Sequence, residues 1–252
     1  MNLTVGLAGV GPEETAWLCL TVFIAGLVRG FSGFGTAMIY VPVAGLFLPP
    51  VSVLVTLVVF DFFGPMPLLR RAWADAVRRE VLLLCLGALI GLQIGLLLLT
   101  RADPLAFRWF ASLATLGLAG LLASGWRYRR VLRPGEVAGT GTVAGVFGGF
   151  AGLAGPPVIL LYLGGARRAA EVRGTIILFL FVSDILTAGS LGARGLLGAE
   201  AMLLGLILTL PYALGGVIGA RLFRLASEEL FRAIAFALIG LAAIIGLPIF
   251  DG

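Results

Sequence analysis

The sequence predicts an all-α polytopic membrane protein, and three observations carry that class. Hydrophobic residues make up 60% of its 252 positions and charged residues 12%, about half the charge content of an ordinary soluble domain. Mean hydropathy is +1.10. The apolar runs have helical length and lack the period-2 alternation of a membrane barrel, and in hydrocarbon only helices and closed barrels satisfy every backbone polar group.

In chain order, the first apolar segment (about 15–48) is interrupted by V-R-G-F-S-G-F-G-T-A-M at 28–38. Gly30, Gly33 and Gly35 permit positive φ and close backbone approach, and Thr36 is suited to an N-cap, so a new half-helix is expected to start there. The piece from Thr36 to Leu48 spans roughly 20 Å at about 1.5 Å per residue, less than the hydrocarbon core. Glu13 and Glu14 precede this segment without a basic stretch, so it is expected to be retained structure and not a cleaved signal. Three plainer runs follow at 52–69, 81–99 and 105–125, each expected to cross the bilayer. A second broken segment, about 137–165, contains F-G-G-F-A-G-L-A-G-P-P at 147–157. Its Gly148, Gly149, Gly152 and Gly155 repeat the glycine interruption, and Pro156 and Pro157 suit the first turn of a helix, where a missing N–H costs nothing. Runs at 174–192, 201–222 and 230–248 complete the chain.

This order is a duplication. Gly30-Phe31-Ser32-Gly33 matches Gly149-Phe150-Ala151-Gly152, Pro50 meets Arg173, Asp61 meets Asp184, Gly91 and Gly95 meet Gly215 and Gly219, and Phe107-Arg108 meets Phe231-Arg232, with offsets drifting from 119 to 124. Residues of about 15–132 and 137–250 are thus two copies of one unit, read as a single transmembrane domain over 1–252. Each copy holds a glycine-broken segment, re-entrant or discontinuous, plus three transmembrane helices.

All 18 basic residues are arginine, and most lie in short loops, the pattern of loop anchoring and not of a nucleic-acid surface. If each broken segment returns to its starting side, the copies are inverted. The loops with Arg70, Arg71, Arg78 and Arg79, with Arg127, Arg129, Arg130 and Arg133, with Arg167, Arg168 and Arg173, and with Arg221, Arg224 and Arg232 then share one side. The other side keeps Arg101 and Arg194 against Glu13, Glu14, Asp103, Glu200 and Asp251. The positive-inside rule favours this arrangement, with basic loops cytoplasmic and the N-terminus outside.

Histidine is absent and the two cysteines, Cys19 and Cys85, sit inside apolar runs. Both facts weigh against a hydrolase, acyltransferase or metalloenzyme, so no enzyme activity, cofactor or metal site is expected. Lysine is also absent, so no Walker phosphate loop exists, which points to secondary transport or facilitation.

Inverted repeats place a site where broken helices meet, and a helix N-terminus offers free N–H groups to an anion. The candidate substrate site is Arg29, Gly30, Phe31, Ser32, Gly33, Phe34, Gly35 and Thr36 from the first break with Gly149, Phe150, Gly152, Gly155, Pro156 and Pro157 from the second. The alternative for these glycines is close helix packing, which fits Gly145/Gly149 and Gly87/Gly91/Gly95. Asp61 and Asp184 stand about ten residues into apolar runs, where a carboxylate is costly unless paired, hydrated or protonated. They are read either as coupling groups, including for protons, or as structural partners of a helix end or arginine. Arg29 is left among three roles: an oxyanion ligand, a partner of Asp61, or a residue reaching to the membrane boundary.

The glycine breaks G-F-S-G-F-G-T-A-M-I-Y-V-P and G-G-F-A-G-L-A-G-P-P-V-I-L-L-Y-L, the R-G-T at 173–175 and G-G-V-I-G-A-R-L at 215–222 resemble the TauE/SafE sulfite exporter family, also called TSUP. The resemblance implies a multi-pass transporter, in a prokaryotic cytoplasmic membrane, of small sulfur-containing anions such as sulfite or sulfonates of the sulfoacetate kind. Export by alternating access around the two breaks is the leading functional expectation, and the direction is not inherited from the family. The two breaks would face the substrate. The expected partners are that anion, the bilayer, a coupled proton and a second copy in a homodimer, with no nucleic acid. The alternatives carried beside it are a cation or proton exchanger built on Asp61 and Asp184, and a non-transporting helical scaffold.

Overall fold

The computed structural model describes residues 9–125, 133–162, 167–222 and 228–250. Arg127, Arg129, Arg130, Arg224 and Asp251 lie outside the described residues, as do the side chains of Phe31, Ser32, Phe231 and Arg232. The described residues form eleven α-helices, two short 3-10 turns and no strand.

The first half comprises α1 (Pro12–Ser32), α2 (Thr36–Ala44), α3 (Pro50–Asp61), α4 (Leu69–Asp75), α5 (Arg78–Leu99) and α6 (Pro104–Ala123). The second comprises α7 (Pro134–Ala151), α8 (Gly155–Tyr162), α9 (Ala169–Ala193), α10 (Ala199–Leu222) and α11 (Glu228–Ile245). Helix starts carry their expected chemistry. Proline opens α1, α3, α6 and α7, where its absent N–H is no loss. Asp103 accepts from the Ala106 N–H at 2.8 Å, and the carboxylates of Glu14 and Glu136 accept from the backbone of Gly11 and Arg133 at 2.6 and 2.9 Å.

Four helices, α5, α6, α9 and α10, are long and apolar enough to cross a membrane, and the chain is a multi-pass membrane protein. Their outward faces are apolar. On α5, Leu82, Leu86, Ile90 and Leu97 are exposed, as are Leu203, Leu206, Leu210 and Leu214 on α10.

Helix α1 ends at Ser32 and α2 starts at Thr36, α7 ends at Ala151 and α8 starts at Gly155, and one plain run does not behave as expected. The run 52–69 is not a single crossing helix, because α3 stops at Asp61. Gly64 and Pro65 follow, the Gly64 N–H turns back to the Asp61 carbonyl at 3.1 Å, and a 3-10 turn at Met66–Leu68 leads into α4. Proline cannot supply the N–H that would continue the helix. The matching segment of the second half, α9, is one unbroken helix of 25 residues.

Two glycine-lined helix pairs form the frame, α1 against α10 and α5 against α7. A Cβ at Gly215 or Gly219 would lie 2.2 Å from the carbonyl oxygens of Phe23 and Leu27. A Cβ at Gly91 or Gly95 would lie 2.0 and 2.4 Å from those of Thr142 and Val146. Thr142 and Val146 follow Phe23 and Leu27 by 119 positions, and Gly215 and Gly219 follow Gly91 and Gly95 by 124. The reverse contacts obey the same offsets: Gly26 and Gly30 approach the carbonyls of Tyr212 and Gly216, while Gly145 and Gly149 approach those of Ala88 and Leu92. Without a hydrophobic drive between helices in lipid, such close approach maximises van der Waals contact. The short helices α2 and α8 pack inside this frame, each against the helix that precedes it.

Candidate functional site

The first break consists of Gly33 and Gly35 with Phe34 between them. Gly33 has φ 79° and Gly35 φ 100°, a left-handed backbone that side chains with Cβ adopt only at a cost. Gly33 ends α1, its N–H bonded to the Arg29 carbonyl at 2.8 Å, and Gly35 is the N-cap of α2. Thr36 is therefore the first residue inside α2 and not its cap. Its hydroxyl is engaged elsewhere, 3.0 Å from the Tyr212 hydroxyl and 3.4 Å from Nη1 of Arg29. The second break turns at Gly152, φ 69°, whose N–H bonds to the Gly148 carbonyl at 2.8 Å. Pro156 and Pro157 lie in the first turn of α8, as the sequence reading expects.

The two breaks meet. Gly35, Thr36, Ala37 and Met38 at the start of α2 line a cavity of about 40 Å³ together with Gly152, Ala154, Gly155 and Pro156 at the start of α8. That space corresponds to roughly three water positions, the scale of a four-atom oxyanion. At the α2 start the N–H groups of Thr36, Ala37 and Met38 have no intrahelical acceptor. At the α8 start Pro156 and Pro157 carry no N–H and leave Gly155 as the first-turn donor, and both helix N-termini favour negative charge. Leu54, Leu57 and Val58 of α3 and Leu180 of α9 supply apolar wall.

Arg29, Asp61 and Asp184 line the same cavity. Arg29 reaches Asp61 Oδ2 with Nη1 at 3.0 Å. Asp61 is the last residue of α3, where the helix dipole opposes a carboxylate, and two donors offset this. Arg29 gives one, and the Tyr212 hydroxyl donates the other to Oδ1. Phe60 and Tyr40 back this cluster, with ring centroids 5.0 Å from Phe60 to Tyr212 and 4.9 Å to Tyr40. Asp184 lies near the middle of α9, with its Oδ2 shut from solvent and without a hydrogen-bond partner among the described residues.

Of the sequence-derived candidates, the cavity gathers Arg29, Phe34, Gly35, Thr36, Gly152, Gly155, Pro156, Asp61 and Asp184. Gly33 shapes the turn without lining the cavity. Gly30 and Gly149 are helical and serve close packing, against Gly216 and Leu92. Phe150 is buried against Phe110 and Phe107, at 4.5 and 5.9 Å between centroids, and Pro157 is not among the lining residues. The side chains of Phe31 and Ser32 lie outside the described residues. Tyr212, Ser183 and Thr187 belong to the site or its support and are absent from the sequence-derived set, while Gly148, named with the second break, also lines the cavity. Ser183 and Thr187 carry a readable signal, adjacent to Asp184 and one helical turn beyond it.

No curated protein and no solved structure matches the chain. The model of the family described as "Sulfite exporter TauE/SafE" matches residues 18–245, from within α1 to the end of α11 and across both breaks. With four helices long and apolar enough to cross a membrane and a family match over nearly the whole chain, the chain belongs to the TauE/SafE sulfite exporter family of membrane transporters.

Proposed function

We propose that the protein is a secondary transporter that exports a small sulfur-containing anion, sulfite or a sulfonate of the sulfoacetate kind, across a prokaryotic cytoplasmic membrane. The observation that carries this reading is the convergence of the α2 and α8 starts and Arg29 on one cavity. A guanidinium and the free N–H groups at the α2 start, with that of Gly155 at the α8 start, are the donors an S–O oxyanion accepts from.

In this reading the two halves are inverted copies that rock about the cavity to give alternating access. The position-by-position correspondence of the Gly91/Gly95 and Gly215/Gly219 contacts supports the duplication. The arginine-rich loops support the inversion, with basic loops cytoplasmic. Single cysteines at Arg70 and Arg168 are expected to react with a membrane-impermeant thiol reagent from the cytoplasmic side, and cysteines at Arg101 and Arg194 from the outside.

The exchanger reading has one observation in its favour, since both aspartates line the cavity. Against it, Asp61 is already paired with a built-in cation at 3.0 Å. Flux of radiolabelled sulfite and sulfonates in proteoliposomes separates the two readings. Anion flux lost in Arg29→Gln supports the anion site; cation-driven exchange without detectable anion flux supports the other. Anion flux unchanged by Gly33→Leu or Gly152→Leu would sink the paired-break site.

A further inference from the structure

The two aspartates matched by the duplication have unequal surroundings. Asp61 has its charge met by Arg29 and Tyr212. The positions related to those two by the offsets of 119 and 124 are Gly148 and Ala88, which bring neither charge nor hydroxyl. Asp184 is thus the copy without a receiving pair, and its Oδ2 is buried with no hydrogen-bond partner among the described residues. The neighbouring hydroxyl of Thr187 donates to the Ser183 carbonyl at 2.8 Å and is committed there.

The charged groups around Asp184 set the balance. From α1 comes Arg29 and from α3 Asp61, both in the same cavity, and the phenol of Tyr212 on α10 lies behind Asp61. The starts of α8 and the end of α7 bring only glycine, alanine and proline to the cavity. On α5, Gln93 is engaged with Ser190, six residues along α9, and Cys85, like Ile176 and Leu180 of α9, packs against the buried apolar cluster that includes Leu84, Ala88 and Phe179. On α4, the Arg71–Asp75 pair lies beside Gly174, ten residues away. One cation therefore faces two carboxyl groups. With Asp61 matching Arg29, an ionised Asp184 leaves the cavity negative before any substrate arrives, and an anion would bring a second uncompensated charge into a largely buried site. An unpaired buried charge is among the most costly things a protein interior can hold.

We propose that Asp184 is a proton-binding site linked to the anion site: the cavity takes up one proton on Asp184 with each anion and releases both together. The proposal rests on the anion reading of the cavity. The proton comes from water on the side to which the cavity is open, forms an O–H bond at the carboxylate, and returns to water when the anion leaves. No oxidant or further reactant is needed. Movement of a monoanion would then be electroneutral and independent of membrane voltage, and export would run down the anion's own outward gradient.

The test uses the full chain in lipid nanodiscs, titrated calorimetrically with sulfite, methanesulfonate and isethionate in two buffers of different ionisation enthalpy between about pH 5.5 and 8. The two sulfonates do not titrate in that range, so any proton taken up belongs to the protein. The expected result is about one proton bound per sulfonate, an affinity falling about tenfold per pH unit on the alkaline limb, no linked proton and a pH-independent affinity in Asp184→Asn, and recovery of the linkage in Asp184→Glu. The wild-type proton count stands even if Asp184→Asn fails to fold. Anion binding without linked protons overturns the proposal, as does the same proton count in Asp184→Asn. Binding of none of the three anions at any pH overturns the anion reading itself, and this proposal with it.

Discussion

Nη1 of Arg29 stands 3.0 Å from Oδ2 of Asp61, 32 positions further along the chain, in the cavity where the two broken segments converge. The guanidinium that suits an incoming oxyanion is thus already held by a carboxylate of the protein itself. An anion binding there either shares Arg29 through its remaining donors or displaces Asp61, and in both cases Asp61 opposes it. Neutralising Asp61 is expected to tighten anion binding by about tenfold or more, the scale of one charge interaction near a protein interior. The same change should slow turnover, because nothing would recapture Arg29 as the anion leaves. Parallel binding and flux measurements on Asp61→Asn check this, and weaker binding in that variant would refute the competition.

Arg29 itself tests whether geometry or charge matters. Arg29→Lys keeps the positive charge and loses the planar fork that engages Asp61 while leaving further N–H groups for a ligand. Anion affinity in Arg29→Lys is expected to fall at least tenfold, with Arg29→Gln falling further. Removing one partner of a paired buried charge costs about 3–5 kcal/mol, so Arg29→Gln should also lower the unfolding temperature. The double variant Arg29→Gln/Asp61→Asn should recover stability and not anion binding.

Most helix starts and both interruptions are legible in the sequence because hydropathy, proline and glycine act locally. The union of Arg29 with Asp61 is legible only as one of three options, since nothing local chooses among them. Tyr212 is not legible at all: it meets Asp61 across 151 positions and Thr36 across 176, through the packing of α10 on α1. Composition also cannot distinguish a glycine that turns the chain from one that admits a neighbouring helix. Gly33 and Gly152 have positive φ, whereas Gly30 and Gly149, three residues before each, sit in regular helix against a facing backbone. The end of α3 at Asp61 is masked for a similar reason, because Phe62 and Phe63 prolong the apolar run while Gly64 and Pro65 end the helix.

That distinction among glycines gives a stability series. Alanine at Gly91, Gly95, Gly215 or Gly219 would put a Cβ 2.0 to 2.4 Å from a backbone carbonyl oxygen, so the helices must separate. Each substitution is expected to cost about 1–3 kcal/mol, the scale of overpacking. Alanine at Gly117, Gly120 or Gly240 meets nothing within 4 Å, and there the better helix former should stabilise by about 0.5–1 kcal/mol. Thermal unfolding in detergent checks both signs, and equal effects in the two groups would contradict the packing.

A last contrast concerns how the outer end of α8 is held. Glu80, at the start of α5, is buried and accepts from the Tyr162 hydroxyl at 2.7 Å and from Arg167. Tyr162 is the final residue of α8, whose other end lines the cavity. Tyr162→Phe removes one hydrogen bond while Arg167 still meets the carboxylate, so it should cost only about 1–2 kcal/mol. Glu80→Ala removes the acceptor for both and leaves a buried phenol unpartnered, and about 3 kcal/mol or more is expected from the lost pair. Glu80→Gln should fall between, since it keeps an acceptor and loses the charge. If this cluster fixes the angle at which α8 presents its first turn, flux should fall in the same order as stability. Full flux in a Glu80→Ala protein that remains folded would instead assign the cluster to holding α5, α8 and the Arg167 segment together, with no influence on the cavity.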